Sequence, residues 1–476
     1  MASKYVKDKT KKQMLDFMHK GLELALKSCN QAEIYGERSD VLSIDLEREE
    51  VKKVKHVKST GIGVRVVISN KIGFSHTTAL EKVKIEECVA HAIKQARVSE
   101  RDKYFHGLPA LMAETSKQGY KEPEKTFDRR IVALLSSVEG GSEDAIAYCK
   151  EMLTGMKEHK VKKGARCTPT EGSFAAAFDE TFILNSEGIE TRDAGTYVSA
   201  GIAVVASEDS SSGEEISGYE SKVSRMLDDI DFGWIGQEAV KIAVDSLGGK
   251  QLKTKQLPVV FSPKAVQSLF AYTVIPQLSA ENVQRKQSPY HGKKGVPIAS
   301  EIITIVDDGT MPSGVNSGKM DGEGVPSQPT TVVDKGVLMN FLYDSYTANK
   351  DRVESTGNAL RGFDSLPAPG ATNFIIKEEG KSRASKEEII GDIKEGLFIN
   401  DVIGAHTASR ASGDFSVVAQ NAFGIKNGDL FPVKGVMIAG NMQEILNHVE
   451  MIGDDTRQIY NVVSPSLMVS RVQVIA

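Results

Sequence analysis

The sequence lacks the closely spaced metal ligands on which most zinc hydrolases depend. Its nine histidines are scattered, and no two are closer than 15 residues. A zincin helix needs two histidines four residues apart, so that both face one metal, with a glutamate between them to activate water. No Cys-x-x-Cys pair occurs either, because the four cysteines (Cys29, Cys88, Cys149 and Cys167) are far apart. The short zinc motifs are therefore excluded, and only zinc ligands assembled from distant segments stay open. We interpret the cysteines as free thiols of a reducing compartment.

The sequence also lacks a basic excess and long apolar runs. Lysine and arginine number 59 against 64 acidic residues, and the net charge of −5 provides no general field that would attract nucleic acid. No apolar run approaches the ~20 residues that span a bilayer. The opening MASKYVKDKTKKQ contains no apolar signal segment. We therefore expect a cytoplasmic chain that binds neither nucleic acid nor membrane directly.

Two loops resemble ligand-binding motifs but fail the patterns. SGVNSGKM at 313–320 has Ser313 where a phosphate-binding loop needs glycine, and Met320 where it needs serine or threonine. MDGEGVPSQPTT at 320–331 supplies two acids, Asp321 and Glu323, and then no further calcium ligand. A tight turn over Asp321–Gly324 is therefore predicted there.

A nucleophilic site stays open as an alternative. SPYHG at 288–292 places Ser288 near His291, and HTASRASGDFS at 406–416 places His406 near Ser409, Ser412 and Asp414. No GxSxG elbow is present, and a serine triad is assembled in three dimensions rather than in sequence. These segments are therefore read as capped surface turns, with a hydrolase using an unrecognised site as the alternative.

The hydrophobic periodicity predicts an α+β fold of two domains. The N-terminal domain (1–248) is expected to mix helices with an antiparallel sheet, and the C-terminal domain (249–476) to be β-rich. Apolar spacing of three or four predicts helices, and alternation predicts strands. Helices are predicted over 11–29, 80–98, 129–158 with an interruption at 140–142, 234–247, 263–278 and the start of 387–399. Strands are predicted over 32–46, 173–206, 257–261, 302–306 and 374–380, and a hairpin is predicted over 62–77. The acidic, serine-rich segment 207–218 is predicted to be a solvated loop or lid.

Several C-terminal motifs together resemble one family. They are MDGEGVPSQPTTVVDKGVLMNFLYDSYTANK (320–350), STGNALRG (355–362), ASGDFSVVAQNAFGIKNGDLFPVKGVMIAGN (411–441) and MIGDD (451–455). The chain is similar in these motifs to the TldD/PmbA family of metalloproteases and DNA-gyrase modulators. The N-terminal half is similar in plan, with AEIYGE at 32–37 and GIGVRVV at 61–67.

The resemblance assigns the chain to one branch of that family. TldD-type chains carry HExxxH on the helix that opens the second domain, and a late cysteine. Here the corresponding window, 270–275, reads FAYTVI, and residues 456–476 contain no cysteine. The chain thus resembles the TldE (PmbA) branch, which lacks HExxxH. That branch implies no cofactor in this chain, with zinc only in a TldD-like paralogue that forms a heterodimer with it and cuts unfolded peptides.

The resemblance also implies a peptide cavity beside the C-terminal motifs. Its candidate lining residues are Asp321, Gly322, Glu323, Gly324, Tyr343, His406, Ser412, Gly413, Asp414 and Asn441. No catalytic or metal-binding residue is assigned in this chain. The stretch TTVVDKGVLMNFLY (330–343) predicts a hairpin, which is either internal or presents a free edge to an extended peptide. A stand-alone homodimeric scaffold or peptide-binding protein stays open as a further alternative.

Overall fold

The computed structural model describes residues 9–111, 122–136, 141–159, 161, 165–208, 213–378 and 383–476. Within them the chain forms an N-terminal domain built on one antiparallel sheet and a β-rich C-terminal domain, so the predicted α+β class is confirmed. The predicted boundary at 248/249 falls between the last N-terminal helix and the first C-terminal strand, and it stays a prediction. None of the described helices is long and apolar enough to cross a membrane.

The N-terminal sheet contains six strands in the order β3-β2-β1-β4-β5-β6. The strands are β1 (Gln31–Glu47), β2 (Glu50–Ile68), β3 (Lys71–Thr77), β4 (Ala165–Asn185), β5 (Glu190–Glu208) and β6 (Glu215–Ser224). Apolar and polar residues alternate along β1, so that one face of the strand is buried: Leu42, Ile44 and Leu46 are buried, whereas the residues between them are not. Ser69 and Asn70, both with positive φ, form the two-residue turn of the predicted β2–β3 hairpin.

The described residues of this domain form five α-helices. They are α1 (Lys9–Leu26), α2 (Lys82–Val98), α3 (Arg129–Ser136), α4 (Gly141–Glu158) and α5 (Phe232–Asp245). Their apolar faces cover the sheet in two buried clusters, one under α1 and α2 and one under α3, α4 and α5. The helix predicted over 129–158 is two helices, and residues 137–140 between them lie outside the described residues.

The acidic segment 207–218 is not simply a loop, and this prediction was wrong in part. β5 continues to Glu208 and β6 begins at Glu215, while 209–212 lie outside the described residues. Gly218 packs against α5 so closely that a Cβ there would lie 2.3 Å from the carbonyl oxygen of Ala239. A polar edge strand and a solvated loop have similar compositions, so only this packing distinguishes them.

The C-terminal domain is built around a closed five-stranded barrel. Its strands pair in the ring β7-β15-β16-β18-β22 and back to β7, with β14, β17 and β19 attached outside the ring. These strands are β7 (Lys255–Phe261), β14 (Arg383–Ala384), β15 (Glu395–Ile403), β16 (Asp414–Lys426), β17 (Asp429–Pro432), β18 (Met437–Asn441), β19 (Val449–Gly453) and β22 (Leu467–Ile475). Closure removes free sheet edges within the ring.

A six-stranded sheet packs beside the barrel in the order β10-β9-β8-β13-β21-β20. Its strands are β8 (Ile303–Asp308), β9 (Pro329–Asp334), β10 (Val337–Leu338), β13 (Phe374–Glu378), β20 (Arg457–Ile459) and β21 (Val462–Ser464); β11 (Ala359–Leu360) and β12 (Ala368–Pro369) pair separately. The domain's helices are α6 (Pro263–Tyr272), α7 (Val274–Leu278), α8 (Ala280–Gln284), α9 (Ser345–Asp351), α10 (Lys386–Gly391) and α11 (Met442–Asn447).

The helix predicted over 263–278 is broken into α6 and α7 at Thr273. Thr273 leaves the helical region, with φ −120° and ψ −74°. Pro276 explains the break, because proline has no N–H to donate and its ring would collide with the carbonyl group of Tyr272 in a continuous helix. α6 itself begins at Pro263, and the Ser262 side chain caps it by accepting the N–H of Ala265.

The crossing of α4 and α5 yields a stability prediction. A Cβ on Gly236 would lie 2.0 Å from the carbonyl oxygen of Met152, so an added methyl group forces the two helices apart. Alanine in place of a helical glycine ordinarily adds about 1 kcal/mol of stability. We expect Gly236→Ala instead to lower the free energy of unfolding by about 1–3 kcal/mol in urea titrations.

The matched control is Gly391→Ala in α10, where a Cβ would meet nothing within 4 Å. This control should unfold at the wild-type urea concentration or above it. Equal stability of the two variants would contradict the close crossing.

Candidate functional site

The predicted glycine turn exists and is buried. The N–H of Asp321 donates to the Val325 carbonyl oxygen (2.8 Å), and the N–H of Gly324 donates to the Asp321 carbonyl oxygen (3.1 Å). Gly324 has φ +81°, which glycine adopts without strain. The Asp321 carboxylate accepts the N–H groups of Glu323, Val325 and Ala359 at 2.9–3.1 Å. Asp321 therefore shapes the backbone and is not open to solvent.

This turn delivers Glu323 into a buried ionic cluster between the two domains. Arg65 on β2 donates to both carboxylate oxygens of Glu33 on β1, at 2.8 and 3.1 Å. The same guanidinium donates to Glu323 at 3.1 Å. Arg361, which follows β11, also pairs with Glu33. We call Glu33, Arg65, Glu323 and Arg361 the interdomain cluster.

The four charges of the interdomain cluster balance. Although burial raises the pKa of Glu33, the charges of Arg65 and Arg361 hold it below its ordinary value. The Arg361 guanidinium also lies 4.6 Å from the centre of the Tyr35 ring. Because each charge has an opposite partner, the cluster is a structural joint rather than a reactive acid–base pair.

Two further carboxyls next to the cluster, Asp321 and Asp344, form no ion pair with the described residues. Burial, together with the nearby charge of Glu323, raises the pKa of Asp321 well above its ordinary value and raises that of Asp344 to about 6. The Asp344 carboxylate caps α9 by accepting the N–H of Thr347 at 2.8 Å. Both acids are buried, and they hold a turn and a helix end.

Two other candidates, Tyr343 and Gly322, are held by internal hydrogen bonds. Tyr343 is 3% exposed, and its hydroxyl donates to Asp351 at 3.1 Å. The N–H of Gly322 donates to the carbonyl oxygen of Ala359 at 2.7 Å.

The hairpin at 330–343 is internal. β10 has only two residues and leaves β9 after Leu338. Its outer side is covered, because Leu338 exchanges main-chain hydrogen bonds with the segment Gly295–Val296. An added peptide strand has no edge to pair with there.

The remaining candidates meet at one rim of the barrel and are exposed apart from Gly413 and half-buried Asn441. The Ser412 hydroxyl donates to the Asp414 carboxylate at 2.6 Å, and the Asn441 amide donates to the same carboxylate at 2.8 Å and to the Ser412 carbonyl oxygen at 2.9 Å. These two side-chain hydrogen bonds lower the pKa of Asp414. The turn places Gly413 between Ser412 and Asp414, with its N–H donating to Ser409. We call Ser412, Gly413, Asp414 and Asn441 the rim cluster.

The geometry provides no nucleophile–base pair among the proposed residues. Within residues 383–476, all of which are described, His406 bonds to neither Ser412 nor Asp414, and its ring lies 6.4 Å from that of Tyr272. The Ser288 hydroxyl donates to the Gln277 carbonyl oxygen, whereas the His291 ring bonds to Val283. Neither serine–histidine pair has formed.

A cavity of about 380 Å³ opens beside the rim cluster. It lies where β18 and β22 separate after a short pairing, and α11 fills part of the gap. Its polar lining residues are Gln256, Asn441, Glu444, His448, Arg471 and Gln473. Asn441 thus belongs both to the rim cluster and to the cavity wall.

A second interdomain contact was missed by the sequence analysis. Lys264, in the first turn of α6, donates to Glu220 on β6 at 2.9 Å, and Arg457 donates to the other oxygen of Glu220 at 3.0 Å. Burial raises the pKa of Glu220, but these two cations lower it below its ordinary value. A lysine within the otherwise apolar start of PKAVQSLFAY was the available signal, since such a residue needs a buried partner.

The residues of α6 and α7 do not fit a zinc site. Segment 263–278 contains no histidine, cysteine, aspartate or glutamate, which are the side chains that bind zinc in proteins. Among the described residues, no three such side chains come close enough to hold a metal ion. The donor set for catalytic zinc is therefore absent from the helix that opens this domain.

Comparison with known proteins identifies relatives along the whole chain. Three models of the PmbA/TldA metallopeptidase match: domain 1 over residues 32–96, the central domain over 141–247 and the C-terminal domain over 254–476. An uncharacterised protein of Methanocaldococcus jannaschii is 33% identical, with 95% of this chain and 98% of that protein covered. The metalloprotease PmbA of Escherichia coli O157:H7 is 24% identical, with 95% and 94% covered. The crystal structure of TldE from Thermococcus kodakarensis superimposes with a TM-score of 0.85 at 24% identity, covering 97% of this chain and 100% of that one.

The interdomain cluster predicts a large cost for losing one of its charges. In Glu323→Gln the buried Arg65 loses one of its two carboxylate partners. We expect the free energy of unfolding to fall by about 3 kcal/mol, measured by urea titration. The matched control is Glu281→Gln, which breaks an exposed pair with Arg285 and should cost less than about 1 kcal/mol. Similar costs for the two variants would contradict the proposed joint.

The raised pKa of Asp344 predicts that this residue makes the free energy of unfolding depend on pH. Its folded pKa of about 6 lies above the ordinary value near 3.9, so its stabilising, protonated form contributes below about pH 4 and is lost as the pH rises through about 6. Asparagine keeps the cap and cannot ionise. Asp344→Asn should therefore match the wild type near pH 4 and exceed its unfolding free energy by about 2 kcal/mol near pH 8. Asp231→Asn, at the exposed cap of α5, is the control and should show no such divergence.

Proposed function

Because the chain belongs to the PmbA/TldD metallopeptidase family, we propose that it is the zinc-less, TldE/PmbA-type subunit of a TldD–TldE-like metalloprotease. In this proposal an HExxxH-bearing, TldD-like chain supplies the zinc and performs the cleavage. The present chain completes the assembly and helps to hold unstructured peptides for degradation or processing.

The composition of α6 carries the proposal. The helix that opens the second domain is well formed and capped, yet it and α7 contain none of the side chains that bind zinc. A peptidase that activates water through zinc needs those donors, because the metal lowers the pKa of its bound water. A family member without them requires another chain for that step.

The retained scaffold supports a role as a partner subunit. The interdomain cluster and the Lys264–Glu220 pair join the two domains at separate places, so the domain arrangement is maintained by buried charges. Separation of the domains would leave these charges unpaired and is therefore costly. A rigid chain of this kind can form one wall of an assembly without performing chemistry itself.

The rim cluster supports a role in peptide handling. Ser412 and Asp414 are exposed and Asn441 is half-buried, so the cluster presents hydroxyl, carboxylate and amide groups beside the cavity that Asn441 lines. Such groups can hydrogen-bond the main chain of an extended peptide without reading its side chains. Recognition through the main chain alone suits a substrate that is bound because it is unfolded.

Reconstitution tests the proposal. The purified chain alone should not cleave an unstructured peptide, whereas its mixture with an HExxxH-bearing family member from the same cells should do so as a complex of the two chains. Replacing the glutamate of the partner's HExxxH motif by glutamine should lower the cleavage rate by at least about 100-fold, since that residue acts as the general base.

The control is His406→Ala in the present chain, which should leave the rate of the complex unchanged. Zinc bound one-to-one by this chain alone, together with cleavage that is lost in His406→Ala or Asp414→Ala, would overturn the proposal in favour of an active site in this chain.

A further inference from the structure

The outer edge of β2 is unpaired over half its length. β3 pairs with β2 only from Ile62 to Ile68. All ten residues from Glu50 to Ser59 are exposed, and no described strand lies on their outer side. We call Glu50–Ser59 the free edge.

The free edge is held in a conformation that can accept a strand. Its inner side is paired with β1 from Glu47↔Glu50 onward, with one irregularity at Asp45/Leu46. Alternate residues of an edge strand point their main-chain N–H and C=O groups outward. At about 3.3 Å per residue, ten residues offer roughly 33 Å of such groups.

The side chains of the free edge offer apolar contacts as well. Val51, Val54 and Val57 are 40%, 42% and 53% exposed. A strand added alongside would bury part of each valine, and such cross-strand contacts are a main source of sheet stability.

The charged side chains of the free edge determine which kind of polypeptide segment can bind there. Lys52 pairs with Glu47, and Lys58 and His56 pair with Asp40, so these three are satisfied within the hairpin. Lys53 and Lys55 lie on one face of the strand and form no ion pair with the described residues. Because they are two residues apart, both would meet the same face of an added strand.

A second copy of this edge is a poor occupant, because self-pairing would bring lysines of like charge together. We propose that the free edge binds an extended, acidic segment of another polypeptide, about ten residues long, as an added strand of the N-terminal sheet. Its carboxylates face Lys53 and Lys55, and its apolar residues cover Val51 and Val54, which the register with β1 places on the opposite face. The binding requires neither zinc nor a second subunit, so it is tested separately from the proposed function.

Fluorescence anisotropy on the full chain tests the proposal with labelled peptides of about ten residues. The probes are alternating Glu/Val, alternating Lys/Val, and a Glu/Val peptide interrupted by prolines, which remove main-chain donors. The Glu/Val peptide should bind, and the other two should bind weakly. Lys53→Glu/Lys55→Glu should weaken binding of the Glu/Val peptide by about tenfold and strengthen that of the Lys/Val peptide.

The control Lys94→Glu/Lys150→Glu makes the same change in net charge on two exposed helical lysines. It should leave both affinities near those of the wild type. Equal weakening by the two variants, tight binding of the proline-interrupted peptide, or no binding of the Glu/Val peptide would each overturn the proposal. Self-association of the wild type that Lys53→Glu/Lys55→Glu changes would also overturn it, in favour of a second copy at this edge.

Discussion

The pairing of Arg65 with Glu33 and Glu323 is the interaction on which the arrangement of the two domains depends. Arg65 and Glu33 come from neighbouring strands of the first sheet, whereas Glu323 comes from a turn in the second domain. All three are buried, so a domain movement would expose unpaired charge inside the protein. The glycine turn that Asp321 closes therefore serves to position Glu323, and the conspicuous acidic motif is a joint between domains.

In the second domain, the elements that could form an active site are present, but α6 carries none of the side chains that bind zinc. Its barrel rim carries α6, the loop with His406 and the rim cluster, which together are placed where an active site could be assembled. Yet the polar side chains of α6 are those of Lys264, Gln267, Ser268 and Tyr272, which are not the side chains that bind catalytic zinc. A shared fold therefore does not by itself determine the chemistry of a chain, which depends on the side chains at the site.

Local patterns predicted much of the fold because each depends on neighbouring residues. The alternation in β1 and the polar turn at 69–71 identified strands and a hairpin, and the family motifs indicated the C-terminal domain. The barrel closure could not be predicted, since β7 and β22 are more than 200 residues apart. The interdomain cluster was missed because Glu33 and Arg65 are charged strand residues, and charge on a strand usually indicates solvent exposure. The break at Thr273 was missed although Pro276 signalled it.

We propose above all that this chain serves as the zinc-less half of a two-chain peptidase. The most direct measurement is affinity purification of the chain from its own cells, followed by native mass spectrometry of the intact complex. We expect the purified complex to contain a paralogue that carries HExxxH, in roughly the same amount as this chain. Zinc should be bound to that paralogue and not to this chain. Recovery of this chain with itself alone, or with zinc bound to it, would contradict the claim.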